Sequence, residues 1–182
     1  MARVPYLTKE QLPADRQELY QQIAGPRGGH VPKVFGLFLN SPDFAGKIAD
    51  VGTHARNATK VPPDAREIAI LAAMREIGCQ YEFTHHMPMA QQAGVRDVVV
   101  EGLKAKSTKG MIPKESVFVD FARQVVNRRV NGPTFEAIEH LLGRQGAVDL
   151  TMLIGYYLMI GHVMLALGVE LEADVPPLMP EG

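Results

Sequence analysis

The sequence of 182 residues has one cysteine, Cys79, no surplus of either charge, and no stretch of alternating apolar and polar residues long enough for a sheet. A single cysteine excludes an intramolecular disulfide. With 19 basic against 20 acidic residues and no basic run, the chain lacks the electrostatic footprint of a nucleic-acid-binding protein. The start, Met1-Ala2-Arg3-Val4-Pro5, lacks the apolar run of a secretory signal, and with so little cysteine this points to a soluble, reducing, cytoplasmic setting. No linker of biased composition divides the chain. Its 46% hydrophobic content suffices for one core of ordinary size, so a single domain over residues 1–182 is expected.

What is present punctuates as helices. Thr8, with Gln11 three residues on, forms a capping box ahead of Leu12 to Ile23. Ser41-Pro42 reads as an N-cap followed by a first-turn proline for Pro42 to Arg56. Pro62-Pro63-Asp64 opens a helix whose Ala65, Ile68, Ala69 and Ala72 follow the helical period until Gly78. Further helices are expected over Cys79 to Gly94, Arg96 to Lys106, Glu115 to Arg129 and Phe135 to Leu142, and the glycine- and proline-rich run Gly25 to Pro32 reads as a loop. Val98-Val99-Val100 is too short to demand a strand. The fold class is therefore all-α, with about eight helices.

From Leu150 to Val169 the chain carries no formal charge, which is length enough to span a bilayer. No Lys or Arg flanks the segment, and Thr151, Gly155, Gly161 and His162 interrupt it. A central helix buried partly in its own subunit and partly against a second copy is expected, with Gly155 and Gly161 permitting close approach of neighbouring backbones. No membrane partner is expected.

The densest chemistry lies in Gly78-Cys79-Gln80-Tyr81-Glu82-Phe83-Thr84-His85-His86. In a helix, Cys79, Glu82 and His86 at i, i+3 and i+7 share one face, while His85 points about 100° away from His86. Gly78 would end the preceding helix and leave Cys79 in a first turn, where unpaired N–H groups and the helix dipole favour a thiolate. A lone cysteine serves as readily as a small core hydrophobe, and both roles stay open for Cys79. Glu82 and His86 are the stronger candidates, because charged side chains on a largely apolar helix are seldom buried without a purpose. A helical hairpin through Gly78 would fold Glu67 back towards the motif, whereas Asp64, Arg66 and Glu76 read as solvated. Pro88 cannot donate to the carbonyl of Thr84, so a kink or opening is expected beside His86. Glu82-x-x-His85 has half the spacing of a carboxylate-bridged di-iron site, but Glu136, Glu139 and His140 supply a second half only with poor spacing, and no metal is expected. His30, His54, His140 and His162 read as loop, surface or core residues.

Pro63 through Glu67, the run GCQYEFTHHMPMAQQAGV, and a second block with Gly155-Tyr156-Tyr157 and Gly168-Val169-Glu170 resemble the carboxymuconolactone decarboxylase and alkylhydroperoxidase D superfamily. The likeness covers a core of about 30–171, leaving residues 1–29 as an N-terminal helical extension that could cover the pocket. It implies an all-helical subunit assembled into trimers or hexamers, with a site between helices that takes a small molecule. In the peroxidase branch the upstream glutamate matches Glu67, the first cysteine Cys79 and the histidine His86. The second, peroxidatic cysteine is replaced here by Glu82, so the internal disulfide of that cycle cannot form. A thiol peroxidase using Cys79 would need an external resolving thiol, and this is the alternative reading. The pattern Tyr-Glu-aromatic-x-x-His is similar instead to the decarboxylase-like branch. That likeness implies a lyase or isomerase without cofactors, acting on a small lactone or carboxylate from aromatic catabolism. His86, Glu82 and Glu67, with Cys79, would then be the catalytic residues, and Tyr81 and His85 would bind substrate. A helical oligomer that only binds a small molecule is the non-enzymatic reading.

Overall fold

In the computed structural model, residues 1–181 are described. They form eight α-helices and no strand: α1 (Gln17–Ala24), α2 (Lys33–Phe38), α3 (Pro42–Asn57), α4 (Pro63–Ile77), α5 (Gln80–Gln92), α6 (Asp97–Lys104), α7 (Pro113–Val126) and α8 (Gly132–Leu167). The number agrees with the sequence reading, but the eight helices are not the same eight.

The core is built around α4. From Glu67 to Arg75 every residue of this helix is buried, as befits a helix apolar on almost all sides. Alanines at 65, 69, 72 and 73 keep its girth small, so α5, α7 and α8 all pack against it. Gly78, at φ 72°, caps α4 in the left-handed conformation that a side chain disfavours, and the chain turns back as α5. This is the hairpin expected from Gly78.

Two elements depart from expectation. Residues 12–23 are not one helix. Pro13 precedes a second short 3₁₀ turn (Ala14–Arg16) after the first (Lys9–Gln11), and α1 starts only at Gln17. The Thr8 N–H donates to Gln11 Oε1 at 2.8 Å, so the expected box caps a single turn. Within 25–32 lies a 3₁₀ turn, Gly25–Arg27, and the loop runs directly into α2. Val34 to Phe38 of that helix are all buried, so it shows no polar face for periodicity to reveal. Within α8 the helix expected to end at Leu142 does so: Gly143, whose φ of 70° and ψ of 169° belong to glycine alone, separates it from the apolar segment. α8 then ends at Leu167 against the Gly168 cap.

One face of α8 packs on α4 and α7, burying Leu150, Leu153, Ile154, Tyr157, Ile160 and Met164. The length and mean hydropathy of 1.8 would suit a membrane span, and the same composition suits a core helix. The other face leaves Val148, Met152, Gly155 and Met159 exposed. Residues before α1 lie along the rest of the fold: Arg3 N–H donates to the Leu167 carbonyl and Leu7 N–H to that of Gly36.

Candidate active site

The α4–α5 hairpin brings Glu67, Glu82 and His86 together. His86 Nδ1 lies 2.6 Å from Glu67 Oε2, and its Nε2 lies 3.2 Å from Glu82 Oε2 one turn back on α5. With a carboxylate oxygen facing each ring nitrogen, the imidazole satisfies both only in the doubly protonated form. Burial opposes that charge, but the hydrogen bonds and negative charge of Glu67 and Glu82 outweigh it and raise the His86 pKa to about 9. Burial likewise works against the Glu67 carboxylate. His86 and Arg66 more than offset it and hold Glu67 below the usual range. The Arg66 Nε donates to Glu67 Oε1 at 3.0 Å, so Arg66 is a partner of the site and not the solvated residue expected from sequence. Tyr157 closes this cluster from α8, its ring edge-on to His86 at 4.9 Å between centroids.

These groups face a cavity of about 640 Å³. Glu82 is the most accessible of the three at 7%, against 2% for His86 and 1% for Glu67, so a ligand meets Glu82 first. The apolar wall comes from α2 and α8, including Val34, Phe35, Phe38, Ile160 and Met164. Pro26, Arg27, His30 and Pro32 of the N-terminal segment also line the cavity. Pro26 and Arg27 belong to the extension 1–29, and His30 is an exposed loop residue, as expected, that borders the cavity.

Tyr81 and His85 are also at the cavity, but both turn to a residue that the sequence did not single out. The Tyr81 hydroxyl donates to Glu172 Oε1 at 3.0 Å, and His85 Nε2 lies 2.9 Å from Glu172 Oε2. Burial acts to raise the Glu172 pKa, and its own N–H, His85 and Tyr81 together bring it below the usual range. Burial and the Glu172 charge push the Tyr81 phenol well above its ordinary value. Glu172 arrives on the segment after α8, which is tied down by Lys33 Nζ donating to the Leu171 carbonyl and by Leu178 N–H donating to Thr84 Oγ1. No local spacing signals a partner 87 residues from His85. As the helical arithmetic requires, His85 and His86 serve different carboxylates, and Glu82 and His85 do not converge as a metal half-site would.

Cys79 does not line the cavity with Glu82 and His86. It is the N-cap of α5, 1% exposed, with Sγ 4.0 Å from the sulfur of Met164, and Met164 rather than the thiol lines the cavity. Burial pushes its pKa up to about 12, which overturns the thiolate expected from a first-turn position. The dipole effect is small beside the cost of moving a charge out of water. The opening expected at Pro88 is also absent as a break, since α5 is continuous from Gln80 to Gln92 with Pro88 inside it.

Compared with solved structures, the chain aligns over 96% of its length with 94% of an alkylhydroperoxidase AhpD core, an uncharacterized peroxidase-related protein from Ralstonia eutropha JMP134, at a TM-score of 0.78 and 19% identity. The fold is that of the alkylhydroperoxidase D core. A second match, at TM-score 0.77 and 14% identity over 95% of this chain and 93% of the other, is a cysteine-to-alanine variant of the debrominase Bmp8 in complex with 2,3,4-tribromopyrrole. No family model and no curated protein matches the sequence. At these identities the likeness extends to the fold, and the chemistry rests on the residues of this chain.

Proposed function

We propose that this chain is a decarboxylase-like enzyme, working without a cofactor in the cytoplasm on a small lactone or carboxylate, with Glu82, His86 and Glu67 as its proton-transfer chain. The observation that carries the reading is the charged His86 held between two carboxylates at the cavity wall, Glu82 being the more accessible. In a γ-lactone acid the bond from carbon to carboxylate breaks, carbon dioxide leaves, and the bonding electrons pass into a dienolate. A proton then moves from His86 Nε2 through Glu82 to the terminal carbon of the dienolate. Glu67 keeps its negative charge on the far side of the imidazole, which favours reprotonation of His86 from solvent before the next turnover. Tyr81 and His85, oriented by Glu172, bound the other side of the same cavity and are placed to contact the substrate.

The buried, protonated thiol speaks against the peroxidase alternative. A sulfenic acid on Cys79 would require a thiolate and access for peroxide, and neither fits a group so fully enclosed.

One pair of variants tests the choice. On a panel of γ-lactone carboxylates, Glu82→Gln should lower turnover roughly 10²–10⁴-fold with the circular dichroism unchanged. Cys79→Ser should stay within a few-fold of wild type. Full activity in Glu82→Gln, or complete loss in Cys79→Ser with the fold intact, would move the chemistry to the thiol.

A further inference from the structure

Six ionisable side chains of the cavity are matched within the chain: Glu67 with His86 and Arg66, Glu82 with His86, and Glu172 with His85. Two guanidiniums that line the same cavity, Arg27 and Arg56, have no carboxylate within ion-pair distance among the described residues. They are not alike. Arg27 is fixed: Nη1 donates to the Ile23 carbonyl at 2.9 Å, Nη2 to that of Ala49 at 3.2 Å, and its carbon sits 4.6 Å over the Phe35 ring. Its Nε is buried with no partner. Burial, and next the nearby charge of Arg56, lower the Arg27 pKa, which marks the two as close enough to repel. Arg56 is half-buried, and its side chain makes no hydrogen bond; only its backbone carbonyl is used, by Arg66.

Two like charges lining one cavity, with no carboxylate in ion-pair contact and only the more distant Asp50 to favour the Arg27 charge, are unfavourable, and an anion between them and the solvent relieves both. We propose that Arg56, backed by the fixed charge of Arg27, anchors a carboxylate of the ligand, so that its apolar body lies along Phe35, Phe38 and Ile160 towards Glu82. The inference rests on the acid–base reading of the site for its orientation, and adds the element that selects an anion over a neutral molecule. A planar guanidinium holds a carboxylate by two parallel N–H donors, which a lysine cannot reproduce.

Calorimetric titration of the full chain with furan-2-carboxylate and benzoate, each against its neutral carboxamide and against inorganic phosphate, tests the assignment. Wild type should bind at least one carboxylate at least tenfold more tightly than its carboxamide. Arg56→Met should weaken that carboxylate roughly 10–100-fold and leave the carboxamide unchanged, with Arg56→Lys in between. Equal affinity for acid and amide, wild-type binding of the acid by Arg56→Met, no saturable binding of either acid below roughly 10 mM, or binding of phosphate alone would each overturn it. Glu82→Gln separates this proposal from the mechanism. It keeps both arginines and should bind the carboxylate at least as well as wild type whether or not its turnover is lost, so retained turnover there would sink the acid–base chain and leave the anchor standing.

Discussion

The α4–α5 hairpin takes Glu67, Glu82 and His86 almost entirely out of water, whereas the apolar helix α8 leaves large hydrophobic side chains facing into it. At the cavity each of these buried charges has its counter-charge in the same chain: Glu67 and Glu82 flank His86, and Arg66 completes the set, whereas Arg75, buried elsewhere on α4, donates to the Lys104 carbonyl. On α8 the balance is missing. Val148, Met152, Gly155, Met159 and His162 are all exposed, and the steps of four, three, four and three residues between them form the narrow seam along which two helices pack. Tyr157, which touches His86, is two positions from Gly155 and Met159, about 200° around the helix. The wall of the site and the open seam are therefore opposite sides of one helix. The charged cluster is matched within the chain while the apolar face of α8 is left open, and we infer that a second copy covers the seam in a trimer or hexamer.

The largest expected effect strikes the balanced region. His86→Ala leaves Glu67 and Glu82 facing each other with no charge between them, and loss of one partner of a buried pair costs about 3–5 kcal/mol. Urea unfolding should show a loss of that order alongside the loss of turnover. The pH profile gives the same contact a signature that simple cavity formation does not. The folded pKa of His86, about 9, lies above the unfolded value near 6.5, so its contribution is fully present below about pH 6.5 and is lost as pH rises through 9. Wild-type stability should fall across that window with a slope approaching ~1.4 kcal/mol per pH unit from this group, and the fall should be missing in the His86→Gln protein. Parallel profiles for the two proteins would mean that His86 is neutral in the fold and its bracketing by carboxylates is not an ion pair.

Much of that region was legible because its determinants are local. Gly78 marks the turn, the helical period places Glu82 and His86 on one face, and a hairpin between adjacent helices returns Glu67 to within 2.6 Å of His86. Locality also explains the errors. Burial of Cys79 depends on Met164, far along the chain, and the neutral thiol that results could not be seen in the motif alone. Glu172, Arg27 and Arg56 reach the cavity from the tail, the N-terminal loop and α3, and each belongs to a stretch whose sequence has no chemical motif of its own. The break at Gly143 was legible too, since the helical pattern ends at Leu142 just before it, and the positive φ there is one that glycine adopts readily.

The seam offers an effect of intermediate size. Met152 is 71% exposed in the single chain, so a glutamate there costs a monomer little. Within a packed seam the same charge would be buried without a partner. Light scattering should find the wild type with a mass of three or more chains and Met152→Glu as a smaller species with unchanged helix content. A monodisperse wild-type monomer, or a variant that assembles normally, would leave α8 as a helix with an uncovered face.

The smallest effect distinguishes the two sides of α8 by a single methyl group. At Gly161 an added Cβ would lie 2.7 Å from Ile77 Cδ1 and 3.2 Å from the Met74 sulfur, the ends of flexible side chains that can yield at a cost. Gly161→Ala gains roughly 1 kcal/mol of helix propensity and spends it on overpacking that typically costs 1–3 kcal/mol, so the net change should be a slight destabilisation at any protein concentration. At Gly155 nothing lies within 4 Å. In dilute solution, where the chains are separated, Gly155→Ala should therefore stabilise by about 0.5–1 kcal/mol. In concentrated solution it should weaken association, because the methyl group enters the space that a neighbouring backbone needs. Sedimentation over a range of concentrations separates the two responses: an alanine at 155 that stabilises the chain and leaves assembly untouched would mean that the copies meet on another face.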